Sequence, residues 1–367
     1  MSAWVCGWDI GGAHLKFALR DPLGRWIETG QLPCPLWQGI ERLTEALRLA
    51  VRDWPVPPQQ VHHAATMTGE LVDAFAGRAA GVAAIVDCSE SVFPGAAWRW
   101  FTVDDTLVDA AEAHRRPLAL ASANWLVSAA CAARQVEGLF IDIGSTTTDI
   151  VALAGGMARP RGLTDGERLS AGELVYRGLV RTPLMAVAAS IDWRGSRRPL
   201  MAEHFATSAD VFRLTGDLDE AADAWPAADA GEKTVAGSAR RIARLLGEDL
   251  ESATLDEWRD VAGQFAEAIV SNITASAVEV LRSVEARGAG ADRVGGTEPP
   301  SQEGRCVVCA GAGHGLAARV AARLGLPAED FASLIGAAGV PGAREHAPAL
   351  ALAARLSNAL APHRPAG

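Results

Sequence analysis

Lysine, tyrosine and long apolar runs are scarce in this chain of 367 residues. Lys16 and Lys233 are the two lysines among 34 basic residues, and Tyr176 is the one tyrosine. No run of about 18 apolar residues is free of charge, which argues against a membrane-spanning helix. Asp9 lies where the apolar segment of a secretion signal would be, and no basic stretch precedes it, so we expect a cytoplasmic protein.

The charge balance and the cysteines narrow the class of protein further. The formal net charge of −10 argues against nucleic acid or an anionic membrane as a partner. Hydrophobic residues make up 49% and charged residues 21%, ordinary values for a globular protein long enough for two lobes. Six dispersed cysteines indicate thiols in a reducing compartment. Cys306 and Cys309 have C-x-x-C spacing, but no second pair or histidine cluster follows, so we interpret them as residues of a buried strand.

One stretch, residues 139–151, organises the chain. It begins with an apolar run that is typical of a buried strand and that contains Asp142 near its end. It then turns at Gly144, presents four hydroxyl-bearing residues, and resumes as a strand at Ile150. A carboxylate before a tight glycine turn, followed by backbone N–H groups and small hydroxyls, forms a phosphate cradle with room for a divalent cation.

Related devices occur twice more. A second D-I-G turn lies at residues 9–11, and Lys16 follows it on the next predicted strand. A strand, a glycine turn and a helix start at residues 307–316 form a third phosphate- or nucleotide-type element. Two D-I-G turns indicate two similar lobes that face each other across a cleft. We place the lobes at residues 1–135 and 136–367, with a mostly helical insertion at about 184–262.

Other segments give local predictions. Further short strands are predicted at residues 82–87, 98–102 and 117–121. The Gly/Pro-rich residues 288–304 predict a surface loop. Thr68 and Gly69 follow a predicted strand and open a helix, which is typical either of an anion or ligand site or of a plain cap and turn.

The segment after the second D-I-G hairpin is polar and then helical in pattern. Ser170 and Glu173 have capping-box spacing and predict a helix over 171–179 that carries Tyr176. Residues 160–169 before it are either a surface loop or part of a ligand contact.

The order of the motifs resembles the superfamily of sugar kinases, heat-shock ATPases and actin. The motifs are D-I-G-G-A-H-L-K from Asp9, F-I-D-I-G-S-T-T-T-D-I from Phe140 and C-A-G-A-G-H-G from Cys309. Within that superfamily, the second motif and M-T-G-E-L at residues 67–71 are similar to the hydantoinase/oxoprolinase branch. The likeness extends to short single-chain members tied to methanofuran biosynthesis in methanogens and methylofuran biosynthesis in methylotrophic bacteria, at residues 142–149, 164–169, 172–176 and 181–183.

The resemblance implies a fold class and a reaction. The fold is α/β, a two-lobed actin-like (ribonuclease H-like) ATPase fold with mixed sheets flanked by helices and a cleft between the lobes. The reaction joins (5-(aminomethyl)furan-3-yl)methyl diphosphate to the phenol of tyramine or γ-glutamyltyramine, and releases diphosphate. It would serve one-carbon metabolism linked to tetrahydromethanopterin. The cleft would then bind a substrate diphosphate with Mg²⁺, and ATP would not be required even if it binds.

The same resemblance assigns roles to residues of this chain. The expected catalytic residues are Asp9, Lys16, Asp142, Asp149 and Asp165. The expected phosphate- or nucleotide-binding residues are Gly11, Gly12, Gly144, Ser145, Thr146, Thr147, Gly311, Gly313 and His314. The expected Mg²⁺ ligands, direct or through water, are Asp9, Asp142 and Asp149. Lys16 would contact the diphosphate, and either Asp149 or Asp165 would take the phenol proton.

Two other classes of function stay open at this point. One is an ATP-dependent kinase or amidohydrolase, which predicts ATP hydrolysis and an adenosine pocket near residues 311–315. The other is a non-enzymatic nucleotide-binding scaffold. In the favoured interpretation the partners are small-molecule diphosphate and phenol substrates, with neither nucleic acid nor membrane, and the sequence leaves a homo-oligomer open.

Overall fold

The structure is a computed structural model that describes residues 3–288 and 304–361, except the side chains of 284–288. Its strands are β1 Trp4–Ile10, β2 His14–Arg20, β3 Trp26–Pro33, β4 Val61–Met67, β5 Ala97–Phe101, β6 Leu107–Val108, β7 Glu137–Ile143, β8 Thr148–Ala154, β9 Met157–Ala158, β10 Leu174–Val175, β11 Ser190–Trp193, β12 Ser196–Pro199, β13 Arg305–Ala310 and β14 Ala328–Asp330.

The helices alternate with these strands along the chain. They are α1 Glu41–Ala50, α2 Arg78–Val92, α3 Ala110–Arg115, α4 Asn124–Ala133, α5 Asp165–Ser170, α6 Ser208–Thr215, α7 Val235–Leu245, α8 Leu255–Gly288, α9 His314–Leu324, α10 Phe331–Leu334 and α11 Ala347–Leu360. Short 3₁₀ turns lie at Leu36–Gln38, Pro58–Gln60, Gly69–Leu71, Pro117–Ala119, Leu184–Ala186, Glu220–Ala222 and Leu250–Ser252.

The chain forms two compact units. The first contains the described residues up to Gln135, residues 155–158 and the described residues from Phe331 onward. The second contains 136–154 and the described part of 159–330. The sequence had placed everything after residue 136 in one lobe, but α10 and α11 belong to the first unit. The reason is packing, because α11 lies on β1 at Gly7, where a glycine lets the two backbones approach.

The sheet of the first unit has the strand order β3-β2-β1-β4-β5-β6. Strands β1, β2 and β3 form an antiparallel meander, whereas β4 and β5 run parallel to β1. The carboxyl ends of β1 and β4 therefore meet at one edge of the sheet. Ligand sites of α/β folds form at such edges.

The sheet of the second unit repeats that arrangement, with the order β10-β8-β7-β13-β14. Strand β8 is antiparallel to β7, and β13 and β14 run parallel to β7. A hairpin followed by parallel strands in both units is the ribonuclease H-like arrangement of the actin-like fold. The predicted fold class, α/β with mixed sheets flanked by helices, is confirmed.

An aromatic cluster fixes β1 from one face of its sheet. Trp8 stacks against Trp54, and its Nε1 donates a hydrogen bond to Nδ1 of His63 at 3.0 Å. Nε2 of His63 lies 2.9 Å from the carbonyl oxygen of Pro58 and donates to it in this tautomer. Burial lowers the pKa of His63 to about 4, so the ring stays neutral. Because side chains alternate along a strand, the residue after Trp8 is held on the opposite face.

Some local predictions are confirmed and others are wrong. Strand β5 lies where a strand was predicted at 98–102, and Cys306 and Cys309 are both buried on β13 as expected. Residues 82–87 lie inside α2 and not in a strand, because a short apolar run alone does not separate a buried strand from a buried helix. The strand predicted at 117–121 is a 3₁₀ turn that starts at a proline.

Two further sequence predictions concern a loop at residues 288–304 and the absence of a membrane-spanning helix. The loop predicted at 288–304 lies, apart from its two end residues, outside the described residues. Among the residues that the structure describes, no helix combines the length and apolar character needed to cross a membrane.

We predict that Gly7→Ala destabilises the first unit by about 2–4 kcal/mol. An added Cβ would lie 1.9 Å from the carbonyl oxygen of Ala349 and 2.8 Å from the nitrogen of Ala353, so α11 would have to move. Equilibrium unfolding in urea, followed by tryptophan fluorescence, measures the loss.

Gly263→Ala is the matched control, because its added Cβ would meet no atom within 4 Å on helix α8. This variant should gain about 0.5–1 kcal/mol from helix propensity. Equal effects of the two substitutions would contradict the packing described for α11.

Candidate functional site

The hydroxyl turn of residues 144–147 joins β7 to β8 in the second unit. Gly144 N–H donates to the carbonyl of Thr147 at 2.9 Å and closes the turn. The carbonyl of Ser145 accepts N–H hydrogen bonds from Val180 and Arg181, both at 2.9 Å. All four turn residues are partly exposed. The carbonyls of the turn are thus directed at its own unit, while its hydroxyl groups stay accessible to a ligand.

A neighbouring glycine allows residues 178–181 to approach the hydroxyl turn closely enough for these hydrogen bonds. At Gly178 an added Cβ would lie 2.5 Å from the carbonyl carbon of Thr146. The 178–181 segment therefore lies directly against the turn, and only a residue without a side chain fits at its start.

Asp142 and Asp149 are direct partners across the β7–β8 hairpin. Opposed residues of an antiparallel pair have Cβ atoms about 4.5–5.5 Å apart on the same face. Both side chains are partly exposed. The two carboxylates that the sequence singled out in this unit are therefore neighbours, one on each side of the hydroxyl turn.

Gly311 and Gly313 leave space for this pair of strands. A Cβ at Gly311, whose φ is +80°, would lie 2.2 Å from Oδ1 of Asp142. Gly313 N–H donates to the carbonyl of Ile143 at 2.8 Å, and α9 begins at the next residue, His314. The third sequence element thus lies beside the end of β7, at the same edge as the hydroxyl turn.

Arg168 holds Asp149 in place. Its Nη2 donates to Oδ1 of Asp149 at 2.7 Å and to the carbonyl of Glu173 at 3.2 Å. The Arg168 side chain is 2% exposed and that of Asp149 is 21% exposed. One oxygen of Asp149 is therefore taken by a buried guanidinium, which leaves the other for a ligand.

Glu173 binds the backbone of the polar segment, residues 160–169. Its two carboxylate oxygens accept N–H hydrogen bonds from Arg161 at 2.7 Å and Gly162 at 3.1 Å. Burial raises the pKa of Glu173, although these N–H groups and Arg168 favour the charged form. These hydrogen bonds attach residues 161–162 to the neighbouring β10 segment, and a ligand contact of residues 160–169 stays a prediction.

The helix in this segment is not the one predicted. It is α5, which begins six residues earlier, and its capping box is formed by Thr164 and Glu167. Gly172 adopts a φ of +70°, after which the chain enters β10, so Glu173 cannot cap a helix and Tyr176 lies on none. Two capping-box spacings follow each other in the sequence, and spacing alone did not separate them. Asp165 is the first residue of α5, one helical turn before Arg168.

Asp9 is the corresponding carboxylate of the first unit. It lies opposite Lys16 on β2 and beside Thr66 on β4. Its side chain is buried, and its Oδ1 has no hydrogen-bond partner within the described residues. Burial raises the pKa of Asp9, while Lys16 and Asn124 act in the opposite direction. A buried carboxylate oxygen without a partner is costly, and this is typical of a residue kept for ligand binding.

Lys16 and the glycines complete this turn. Lys16 Nζ donates to the carbonyl of Glu345 at 3.0 Å, so one of its three donors is used inside its own unit. Gly11 N–H donates to the carbonyl of His14 at 3.0 Å. At Gly12 an added Cβ would lie 2.9 Å from Val72. The contact of Lys16 with a diphosphate stays a prediction.

The sequence missed a second buried carboxylate beside this turn. Glu70 is 1% exposed, its Oε1 accepts a hydrogen bond from the Ser122 hydroxyl at 2.9 Å, and burial raises its pKa. Ser122 has a φ of +52°, a strained value for a residue other than glycine. Thr68 makes no side-chain cap hydrogen bond to the 3₁₀ turn at Gly69–Leu71, so the plain-cap interpretation is wrong, and the ligand-site interpretation of 68–69 stays a prediction.

The predicted residues therefore form two sets. Asp9, Gly11, Gly12 and Lys16 lie together in the first unit, and Asp142, Asp149, Asp165, residues 144–147, Gly311, Gly313 and His314 lie in the second. Among the described residues there is no group of three or more His, Cys, Asp or Glu side chains that could hold a metal ion by itself.

Comparison with known proteins shows the family to which the chain belongs. The family model for hydantoinase/oxoprolinase matches residues 62–343, and the chain belongs to that family. A protein of Methanocaldococcus jannaschii named (4-{4-[2-(gamma-L-glutamylamino)ethyl]phenoxymethyl}furan-2-yl)methanamine synthase is 28% identical over 266 residues, 72% of this chain and 78% of that protein. A protein of the same name from Methanococcus vannielii is 30% identical over 135 residues, 37% of this chain and 60% of its own length.

A solved structure is similar in fold. The nucleotide-free structure of acetone carboxylase, an enzyme of ATP-dependent acetone carboxylation, superposes with a TM-score of 0.55 at 10% identity. The match covers 96% of this chain and 70% of that chain. At this identity the likeness extends to the fold alone.

We predict that Asp9→Asn stabilises the protein by about 1 kcal/mol at pH 8, because it removes a buried charge that lacks a full set of partners. The pKa of Asp9 is raised, so its cost is absent below the ordinary carboxyl pKa and complete once the pH exceeds the raised value. The gain should therefore be larger at pH 8 than at pH 4 in urea unfolding.

Asp21→Asn is the control of opposite sign. Burial opposes the charge of Asp21, but hydrogen bonds from Arg25 and Leu23 outweigh it and lower its pKa. Its contribution is present above the ordinary carboxyl pKa and is lost as the pH falls, so this variant should lose stability at pH 8. A loss of stability in both variants would argue against a ligand-binding role for Asp9.

Proposed function

We propose that the protein joins (5-(aminomethyl)furan-3-yl)methyl diphosphate to the phenol of a γ-glutamyltyramine-type acceptor. The carbon–oxygen bond to diphosphate breaks, the phenol oxygen bonds to that carbon, and a base takes the phenol proton. The products are an aryl furfuryl ether and diphosphate.

The observation that carries the proposal is the identity with the M. jannaschii synthase over 72% of this chain. The name of that relative describes such an ether: a furan-methanamine joined through a phenoxymethyl group to a γ-glutamylated phenethylamine. The site of the second unit supports the proposal, because a leaving diphosphate needs hydroxyl and N–H donors next to carboxylates that can hold a cation.

Mg²⁺ fits the donor set of this unit. Magnesium takes oxygen ligands, often one or two carboxylates together with water and substrate phosphates. Asp142 and the oxygen of Asp149 that Arg168 does not bind would hold it. When bound, the ion would neutralise charge on the departing diphosphate.

The residues of the chain divide the other tasks. Ser145 and Thr146 of the hydroxyl turn would donate to the diphosphate oxygens, and the contact of Lys16 with the diphosphate is proposed from the sequence alone. We assign the base to Asp165, because Arg168 takes one oxygen of Asp149 and the cation would take the other. A phenol has a pKa of about 10, far above that of a carboxylate. The carboxylate base therefore helps chiefly while the bond between the phenol oxygen and the furfuryl carbon forms, because the phenol becomes more acidic in that step.

We predict that purified protein with Mg²⁺, the furfuryl diphosphate and γ-glutamyltyramine forms the ether without ATP. Mass spectrometry follows the ether, and a coupled assay follows diphosphate. Asp142→Asn should lower kcat about 10³-fold, because the cation loses a ligand and the diphosphate loses its counter-charge.

Asp256→Asn is the control, since Asp256 is an exposed carboxylate on α8 that pairs with nearby Arg259. It should leave kcat unchanged. ATP consumption without ether formation would overturn the proposal and return the protein to the kinase or amidohydrolase class.

A further inference from the structure

A second recess lies next to the hydroxyl turn, in the segment that the sequence marked as an insertion. This insertion pocket has a volume of about 330 Å³ and is lined in part by Val180, Arg181, Ala209, Trp225 and Pro226. Small-molecule sites usually measure about 300–1,000 Å³, so the pocket can hold a small ligand or a large part of one.

The pocket is structurally continuous with the hydroxyl turn. Val180 and Arg181, which line it, are the residues whose N–H groups bond to the carbonyl of Ser145. Nη1 of Arg181 also donates to the hydroxyl of Thr146 at 3.4 Å. On the other side, Ala209 N–H donates to the carbonyl of Val180 at 3.1 Å. One segment of chain therefore forms both the edge of the turn and the wall of the pocket.

The charged side chains at the inner side of the pocket are held in ion pairs. Arg213 pairs with Asp223 at 2.7 Å and with Glu220 at 2.7 Å. Asp210 pairs with Arg241 at 2.7 Å, and both side chains are almost fully buried. These charges already have partners, so they are poorly placed to select a ligand by charge.

Arg181 differs from them. Within the described part of the chain it forms no ion pair with a carboxylate, and its guanidinium lies 4.5 Å from the ring centre of Trp225. A guanidinium that no carboxylate neutralises and that stacks on an indole can bind a ligand carboxylate, while the ring offers an apolar face. The pocket thus favours a ligand that combines a carboxylate with an apolar or aromatic body.

We propose that the insertion pocket binds the acceptor, through the carboxylate-bearing tail of an N-acylated phenethylamine, with Arg181 holding the carboxylate. This inference rests on the proposed function. Of the two substrates, the furan donor is assigned to the hydroxyl turn through its diphosphate, and its other end is a cationic aminomethyl group that Arg181 repels. A γ-glutamyl tail carries a carboxylate, next to its ammonium group, that Arg181 can bind. With the tail in this pocket, the phenol end lies towards the hydroxyl turn, where the diphosphate would bind.

The test compares γ-glutamyltyramine with tyramine, which has the same phenol but lacks the carboxylate. In Arg181→Gln the KM for γ-glutamyltyramine should rise about 10–100-fold, the usual effect of losing a charge-assisted hydrogen bond. The KM values for tyramine and for the diphosphate donor should change less than about twofold. Arg181→Lys, which keeps the charge but not the planar fork, should lie between the wild type and Arg181→Gln.

Arg197→Gln is the matched control, because Arg197 is an exposed arginine of the same unit whose Nε donates to the hydroxyl of Ser190 at 2.6 Å. It should leave both KM values unchanged. A rise in the donor KM in Arg181→Gln, or equal effects on the two acceptors, would overturn the proposal.

Calorimetric binding of γ-glutamyltyramine to the full chain, without donor, separates the pocket from the reaction. If the wild type binds it, Arg181→Gln does not, and no ether is made, the pocket inference stands and the proposed reaction fails. If ether is made but the binding constant is the same in both proteins, the reaction stands and the pocket inference fails. Absence of both binding and ether refutes both.

Discussion

The pairing of Asp142 with Asp149 across the β7–β8 hairpin is the constraint on which the site of the second unit depends. Antiparallel register places both carboxylates on one face, and the hydroxyl turn fixes that register. Gly311 is required because any side chain there would strike Asp142. Arg168 fixes Asp149 from the other side, and Glu173 anchors residues 161–162, just before the helix α5 that carries Arg168. Phosphate donors and carboxylates are therefore preorganised before any ligand arrives.

The first unit uses the same strand arrangement with a different electrostatic balance. Asp9 is buried deeply enough to raise its pKa, and one of its oxygens lacks a partner among the described residues. Glu70 is buried close to the end of the neighbouring strand. The aromatic cluster around Trp8 supplies the apolar packing that lets β1 tolerate this cost. Apolar packing on one face of the sheet thus offsets the free-energy cost of the buried Asp9 carboxylate on the other face.

The structural features that depend on short-range sequence patterns could be predicted. Residues 140–151 predicted a strand, a turn and a strand because apolar alternation and a glycine are local signals. Features that arise from packing between distant segments could not be predicted from the sequence. They are the contact of α11 with Gly7, the helical state of residues 82–87, and the hydrogen bond by which Arg168 holds Asp149. The helix at 165–170 was predicted six residues too late because two capping-box spacings compete, and only the positive φ at Gly172 decides between them. Arg181 belongs to the motif at residues 181–183, but its proposed role depends on Trp225, more than 40 positions further along the chain.

The central claim is that this family member cleaves the carbon–oxygen bond of a furfuryl diphosphate and transfers no phosphoryl group. A donor labelled with ¹⁸O in the bridging oxygen between the furfuryl carbon and phosphorus tests this directly. Reaction with γ-glutamyltyramine should leave all of the label in the released diphosphate, because the bond from carbon to that oxygen breaks. Label retained in a furan-containing product would mean cleavage between phosphorus and oxygen, and would contradict the account.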